Sequence, residues 1–308
     1  MKLVKPKFEI LSSKGLFEDI ERAARTCYQS QDKIMQGSAE KIVSNLIERG
    51  HGAMLEHGTV YLVIFVPKIK EGELEDEEKN IKEVLIQGFR QSKYSRVKLH
   101  FTLEGTYYYI TTNYRVIIEG GWFAHKPYIV DAPNELHQKR VSVKFTCDIG
   151  VSREFNRHRV NSIAEQSTRF CNFMKEKFGS EITYIQPDWV SDEELSNVKD
   201  FITTIEIPND EFGTLYEKTT FDWSAIDWWL WSLACAELAY INQIRLGWSP
   251  QQARDSLPLS TKTELIHTAF VSDWEHFFML RDARGAHPSA RELSIPLHAE
   301  FKRLELIK

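Results

Sequence analysis

Long hydrophobic runs are missing from this 308-residue sequence. No stretch approaches the roughly 20 apolar residues that a membrane-spanning helix needs, and Met1 to Glu9 has no apolar leader core. The expectation is a cytoplasmic chain with no membrane partner. Cysteine is scarce: Cys27, Cys147, Cys171 and Cys235 lie far apart with no C-x-x-C pair, so a disulfide framework and a paired zinc or redox site are excluded, and no metal is expected. All four are read as thiols. An excess of positive charge is lacking too, the net charge being -5 with a pI near 6.1. That disfavours a general nucleic-acid binder and requires any anionic ligand to be met by a local cluster of Arg and Lys. Internal repeats, low-complexity tracts and βαβ alternation are also absent.

What is present is an ordinary globular composition, 42% hydrophobic and 27% charged, with enough chain for a sizeable core. Residues 38–49 carry Ile42, Val43, Leu46 and Ile47 at helical spacing, and Gly50 follows as a cap. Thr59 to Val66 is a β-branched and aromatic run stopped by Pro67, which reads as a buried strand. Val141 to Ile149 alternates with period two, as a half-buried strand does. Between them Lys68 to Glu83 is dense in mainly acidic charge and Tyr107 to Ile118 reads as further strand, so residues 68–140 are taken as an insertion whose strand pairs beside Thr59–Val66 or Val141–Ile149. Ser224 to Arg245 reads as a Trp- and Ala-rich helix, its Trp228, Trp229 and Trp231 serving packing. Another begins at Ser249, where Ser-Pro-Gln-Gln supplies a cap, a first-turn Pro and a third-position Gln. The fold class expected is α+β: a single domain over 1–308 with a mainly antiparallel sheet from the Thr59 and Val141 strands, flanked by helices, plus the strand-containing insertion.

Chemistry concentrates in Arg153 to Arg169. Arg153, Arg157, Arg159, Arg169 and His158 stand there with only Glu154 and Glu165, against the acidic background of the chain. Arginine forks grip phosphate oxygens two at a time, and Ser162, Ser167 and Thr168 add neutral donors. With Arg157 to Gln166 helical, His158, Ser162, Glu165 and Arg169 would fall on one stripe; the plain alternative is a salt-bridged surface helix with a Glu165–Arg169 pair.

The order Arg157-His158-Arg159, seven residues, then Ser167 resembles the signature of the flavin-dependent thymidylate synthases, and Ser167-Thr168-Arg169-Phe170 extends it. Four more segments resemble the family in the same order: Ala23 to Tyr28, Gly50 to His57, Tyr184 to Pro187, and Ser249 to Arg254 continuing to Leu280-Arg281. The resemblance implies conversion of dUMP to dTMP with 5,10-methylenetetrahydrofolate as methylene donor, FAD as cofactor, NADPH as reductant, and a homotetramer with shared sites. It implies dUMP contacts from Glu154, Phe155, Asn156, Arg157, Glu165, Gln166, Ser167, Thr168, Arg169, Arg254 and Arg281, with Arg281 the catalytic cation beside the uracil. It implies FAD contacts from His51, Ala53, Glu56, Arg157, His158, Arg159, Glu165 and His276. The lack of G-x-G-x-x-G does not count against flavin, since this family's fold has no Rossmann unit.

The sequence departs from the family at Thr168 and Phe170, at Phe270 and Ser272 where many members carry Asn and Arg, and at Ala286-His287-Pro288. His51 and His57 have capping or core roles as competing readings. Ser167 has no His and Asp placed to activate it and is assigned to substrate contact. A folate-only thymidylate synthase is disfavoured because no cysteine stands in a Pro-Cys-His setting. A non-catalytic nucleotide-binding or regulatory module is the alternative from another class.

Overall fold

The computed structural model describes residues 1–68, 77–175, 179–198 and 223–308. Most of the acidic run after Lys68 lies outside them. Ten strands are named in chain order: β1 (Lys2–Val4), β2 (Lys7–Leu11), β3 (Thr59–Pro67), β4 (Arg96–Phe101), β5 (Gly105–Asn113), β6 (Ile129–Val130), β7 (Arg140–Asp148), β8 (Ser162–Glu165), β9 (Thr183–Ile185) and β10 (Lys262–Phe270). They form two four-stranded sheets, β2-β7-β10-β8 and β4-β5-β3-β6, and the parallel pair β1-β9. Pairing within β2–β7, β8–β10, β3–β5, β3–β6 and β4–β5 is antiparallel, and the fold is α+β as expected.

One expectation is corrected. The Thr59 and Val141 strands do not share a sheet, because β3 pairs with β5 over its whole length while β7 pairs with β2. The tyrosine-rich strand does pair beside Thr59–Val66, but it stops at Asn113, whose Oδ1 accepts from the Val116 amide at 3.1 Å and starts the helix Tyr114–Glu119. An Asn side chain that satisfies an otherwise orphan helical N–H ends the strand in mid-pattern.

By contacts the chain divides into two compact units. The larger comprises Lys7–Thr146, Val151–Gln166 and Thr263–Lys308. In it β3 alternates as its period-two side chains demand: Val60, Leu62, Ile64 and Val66 are buried and pack with Ile110 of β5 against Ile20 and Ala24 of the helix Leu16–Tyr28 and Val43 and Leu46 of the helix Ser38–Glu48. Gly50 follows that second helix with φ 67°, the left-handed conformation glycine tolerates. A second, aromatic cluster joins Phe145 of β7, Phe155 of the helix Ile149–Phe155, and Trp274 and Phe277 of the helix Val271–Arg281, with Phe155 4.9 Å from both Phe145 and Phe277. The Trp274 indole donates to the Val141 carbonyl at 3.1 Å, so the tryptophan is buried without losing its hydrogen bond.

The smaller unit comprises Met1–Pro6, Cys147–Gly150 and Ser167–Lys262. Its core gathers Phe173, Ile182, Tyr184, Leu233, Tyr240 and Ala253. The helix Ala225–Arg245 opens with a reciprocal capping box between Ser224 and Asp227, and the short helix Pro250–Ala253 with one between Ser249 and Gln252. Trp229 packs against the core as expected, whereas Trp228 is exposed and packs edge-on with Trp223 and Trp231.

Candidate active site

Arg157 to Gln166 is not a helix. The chain leaves the helix Ile149–Phe155, turns through Asn156–Asn161, and then enters strand β8, where Leu265, Ile266, His267 and Thr268 of β10 face Glu165, Ala164, Ile163 and Ser162. The stripe of His158, Ser162, Glu165 and Arg169 therefore does not form, because the β10 edge gives Ser162–Glu165 inter-strand partners that outweigh four residues of helical propensity. The Glu165 carboxylate instead accepts from Ser152 Oγ (2.6 Å), Asn156 Nδ2 (2.9 Å) and Thr263 Oγ1 (3.3 Å). Neutral donors hold that carboxylate in place, and it has no ion pair among the described residues.

Arg281, at the end of its helix, is held by the last turn of the helix Ile149–Phe155 and by the turn that follows it. Its Nη1 donates to Glu154 Oε2 at 2.7 Å, its Nη2 to the Glu154 carbonyl at 2.7 Å, and its Nε to His158 Nε2 at 3.0 Å. Since arginine can only donate, His158 presents a lone pair on Nε2. Burial, and then the neighbouring Arg281 and His276, pull its pKa down to about 4, so His158 is a neutral imidazole near pH 7. The aromatic cluster beneath fixes both partners: the His158 ring lies 4.9 Å from Phe277 and 6.1 Å from His276. Arg157 and Arg159 stay exposed on either side of His158.

Phe155 faces the aromatic core with no exposed surface. Glu154, Asn156, Arg157 and Glu165 remain at the surface of the larger unit, and Gln166 is buried with its amide bonded to the Glu264 carbonyl at 2.7 Å. In the smaller unit Arg169 and Arg254 share one open cleft of about 520 Å³ with Trp248, Gln251, Gln252 and Asp255, and Arg169 Nη2 reaches Gln251 Oε1 at 3.4 Å. Ser167 Oγ accepts from the Arg169 amide at 3.3 Å and has no His or Asp partner among the described residues. Thr168 is half-buried beside it.

His51 sits at the N-cap of the helix Gly52–Leu55, yet its side chain makes no capping bond and is exposed, as is Ala53. His57 is a core histidine, 2% exposed, with Nδ1 2.8 Å from Thr268 Oγ1. His287 caps the helix Pro288–Arg303 through a bond from the Ser289 amide. His276 is exposed one turn before Arg281.

Two arginines of the segment 68–140 meet these residues, and sequence reading did not single them out. Arg115 Nη1 binds Glu56 Oε1 at 2.7 Å while its Nε binds Glu119 at 2.7 Å. Arg96 of β4 stacks 4.5 Å from the Phe270 ring and grips Asp273 through bonds of 2.8 and 3.1 Å. No signal short of the tertiary pairing could have found them, since each is one charged residue in an unremarkable setting.

Whether flavin suits this site turns on its donors. Arg157 and Arg159 are exposed arginines with no ion pair among the described residues, and His51 and His276 add exposed imidazoles, which is the donor set a pyrophosphate-bearing cofactor requires. No helix among the described residues is long and apolar enough to cross a membrane.

The structure resembles solved structures of the UMP/dUMP methylase PolB from Streptomyces cacaoi. With 5-Br dUMP bound the TM-score is 0.42 at 14% identity, over 99% of this chain and 93% of that one; with 5-Br UMP bound it is 0.41 at 14%, over 99% and 92%. No curated protein matches the chain in sequence. Residues 134–304, more than half of the chain, match the family described as thymidylate synthase complementing protein, and the chain belongs to that family.

Proposed function

We propose that this protein is an FAD-dependent thymidylate synthase that converts dUMP to dTMP with 5,10-methylenetetrahydrofolate and NADPH. Family membership supports a methyltransferase of the thymidylate synthase type. The observation that carries the finer reading is the fixed guanidinium of Arg281, locked by Glu154 and by a neutral His158 inside the family signature.

FAD, when bound, would carry the hydride received from NADPH; His51, Ala53, Glu56, Arg157, His158, Arg159, Glu165 and His276 are the residues proposed to hold it. The chain's own contribution is electrostatic. Arg281 places a cation that stabilises negative charge developing on the pyrimidine ring during attack from C5. Glu154 holds that cation in one orientation, so the uracil meets an already ordered side chain. Glu154, Phe155, Asn156, Arg157, Glu165, Gln166, Ser167, Thr168, Arg169, Arg254 and Arg281 are the proposed dUMP contacts. Arg169 and Arg254 suit the phosphate because one cleft presents both. We read the chain as one working domain, cytoplasmic, acting as a homotetramer; Met279 and Leu280, exposed by 63% and 43% beside Arg281, suit a subunit contact.

The test is spectroscopic. The purified protein should take up added FAD with a shifted visible spectrum, anaerobic NADPH should bleach it, and dUMP should change the bleaching rate. Absence of flavin binding at any concentration would remove the catalytic reading and leave a nucleotide-binding module.

A further inference from the structure

The larger unit encloses a second cavity of about 410 Å³, away from Arg281, where β3 and β6 meet the start of the helix Leu16–Tyr28 and strands β7 and β10. That volume falls within the roughly 300–1,000 Å³ range of small-molecule sites. Much of the wall is apolar, including Leu16, Ile129 and Ile266. Arg140 also lines it.

Among the described residues Arg140 has no carboxylate partner. Its three hydrogen bonds run to neutral acceptors: Thr59 Oγ1 at 3.2 Å, the Glu56 carbonyl at 3.0 Å and Ser162 Oγ at 3.2 Å. Its Nε is buried with no acceptor. The two carboxylates whose fields reach it are committed elsewhere, Glu56 to Arg115 and Asp273 to Arg96. Burial brings its pKa down to about 10, still far above neutrality, so the charge persists. An unpaired buried charge is costly to a fold, and a bound anion would offset that cost. Asp19, Arg22 and Asp131 also line the cavity; Arg22 lies 3.6 Å from Asp19 and donates to the Ser12 carbonyl, so with Asp131 also on the wall the charge left to balance is that of Arg140, which suits a single carboxylate over a multiply charged ligand.

We propose that this cavity binds a small organic anion, an apolar body ending in one carboxylate, with Arg140 as its counter-charge. The proposal does not depend on the thymidylate synthase reading and can fail separately from it.

The experiment is isothermal titration of the full chain with benzoate and, separately, with inorganic phosphate, on the wild type and on Arg140→Met and Asp131→Asn. Benzoate should bind saturably at one site per chain. Binding should weaken at least about tenfold in Arg140→Met. It should tighten about twofold in Asp131→Asn, where an exposed carboxylate near the anion is neutralised. No saturable benzoate binding to the wild type, preferential binding of phosphate, or one affinity across all three proteins would overturn the proposal. Should Arg140→Met fail to fold, an unchanged affinity in Asp131→Asn overturns it alone.

Discussion

Arg281 and His158 are two residues whose chemistry is set by what they touch. Replacing Arg281 with Ala removes the cation but not the aromatic packing beneath it, so the variant should keep its flavin spectrum while kcat/KM for dTMP formation falls about a hundredfold or more. Full activity in that variant would remove Arg281 from the mechanism. The buried histidines make a separate prediction about pH. Burial, reinforced by Arg140, lowers the His57 pKa to about 3, and burial with Arg281 and His276 lowers that of His158 to about 4, against about 6.5 for an exposed histidine. For a depressed histidine the unfolded chain binds its proton first. Stability is therefore full above pH 6.5 and is lost as pH falls toward 4, by up to about 1.4 kcal/mol per pH unit for each such residue. Urea midpoints between pH 7 and 5, above the range where most carboxylates titrate, should fall steadily; a flat profile would mean these imidazoles are not held neutral.

At the scale of elements, the decisive events are boundaries. Asn113 turns a nine-residue strand into a helix, and Asn113→Ala should cost about 1 kcal/mol with an unchanged urea m-value, since it removes one cap and no compact surface. The helix so started carries Arg115 to Glu56. If Glu56 contacts flavin, Arg115→Ala should weaken FAD binding several-fold, by roughly 1 kcal/mol, while leaving dUMP titration unchanged; equal FAD affinity would make the contact purely structural. Strand β8 teaches the complementary lesson. Arg157 to Gln166 has a composition that a helix accepts, and periodicity within ten residues cannot reveal that β10, about a hundred residues later, offers it a hydrogen-bonding edge.

For the whole molecule, the segment placed at 68–140 is not a detachable ornament. β3 belongs to the same sheet as β4, β5 and β6, and all four precede residue 134, where the family match begins. Their buried face is the roof over the helices Leu16–Tyr28 and Ser38–Glu48. Leu62→Ala or Ile110→Ala, at fully buried positions, should therefore destabilise the protein by about 2–5 kcal/mol, the cost of a cavity in a shared core. A much smaller loss, read from urea unfolding, would mark the sheet as independent. If the proposed homotetramer forms, light scattering should give about four times 35.9 kDa, and a mass near 35.9 kDa would remove it.

The sequence by itself determined the family, the α+β class, the helix at Ser38–Glu48, the helix from Ser224 to Arg245, the capping box at Ser249, and strands β3 and β7, because these rest on local periodicity, capping chemistry and an ordered set of motif residues. The tertiary structure alone decided that β3 and β7 lie in different sheets, that the signature ends in a strand, that Phe155 is core, and that Arg96, Arg115 and Arg140 stand among the site and cavity residues. The reason is physical. Strand partners, ion pairs and buried charges are energies between residues distant in sequence, and no local pattern along the chain records which partner wins.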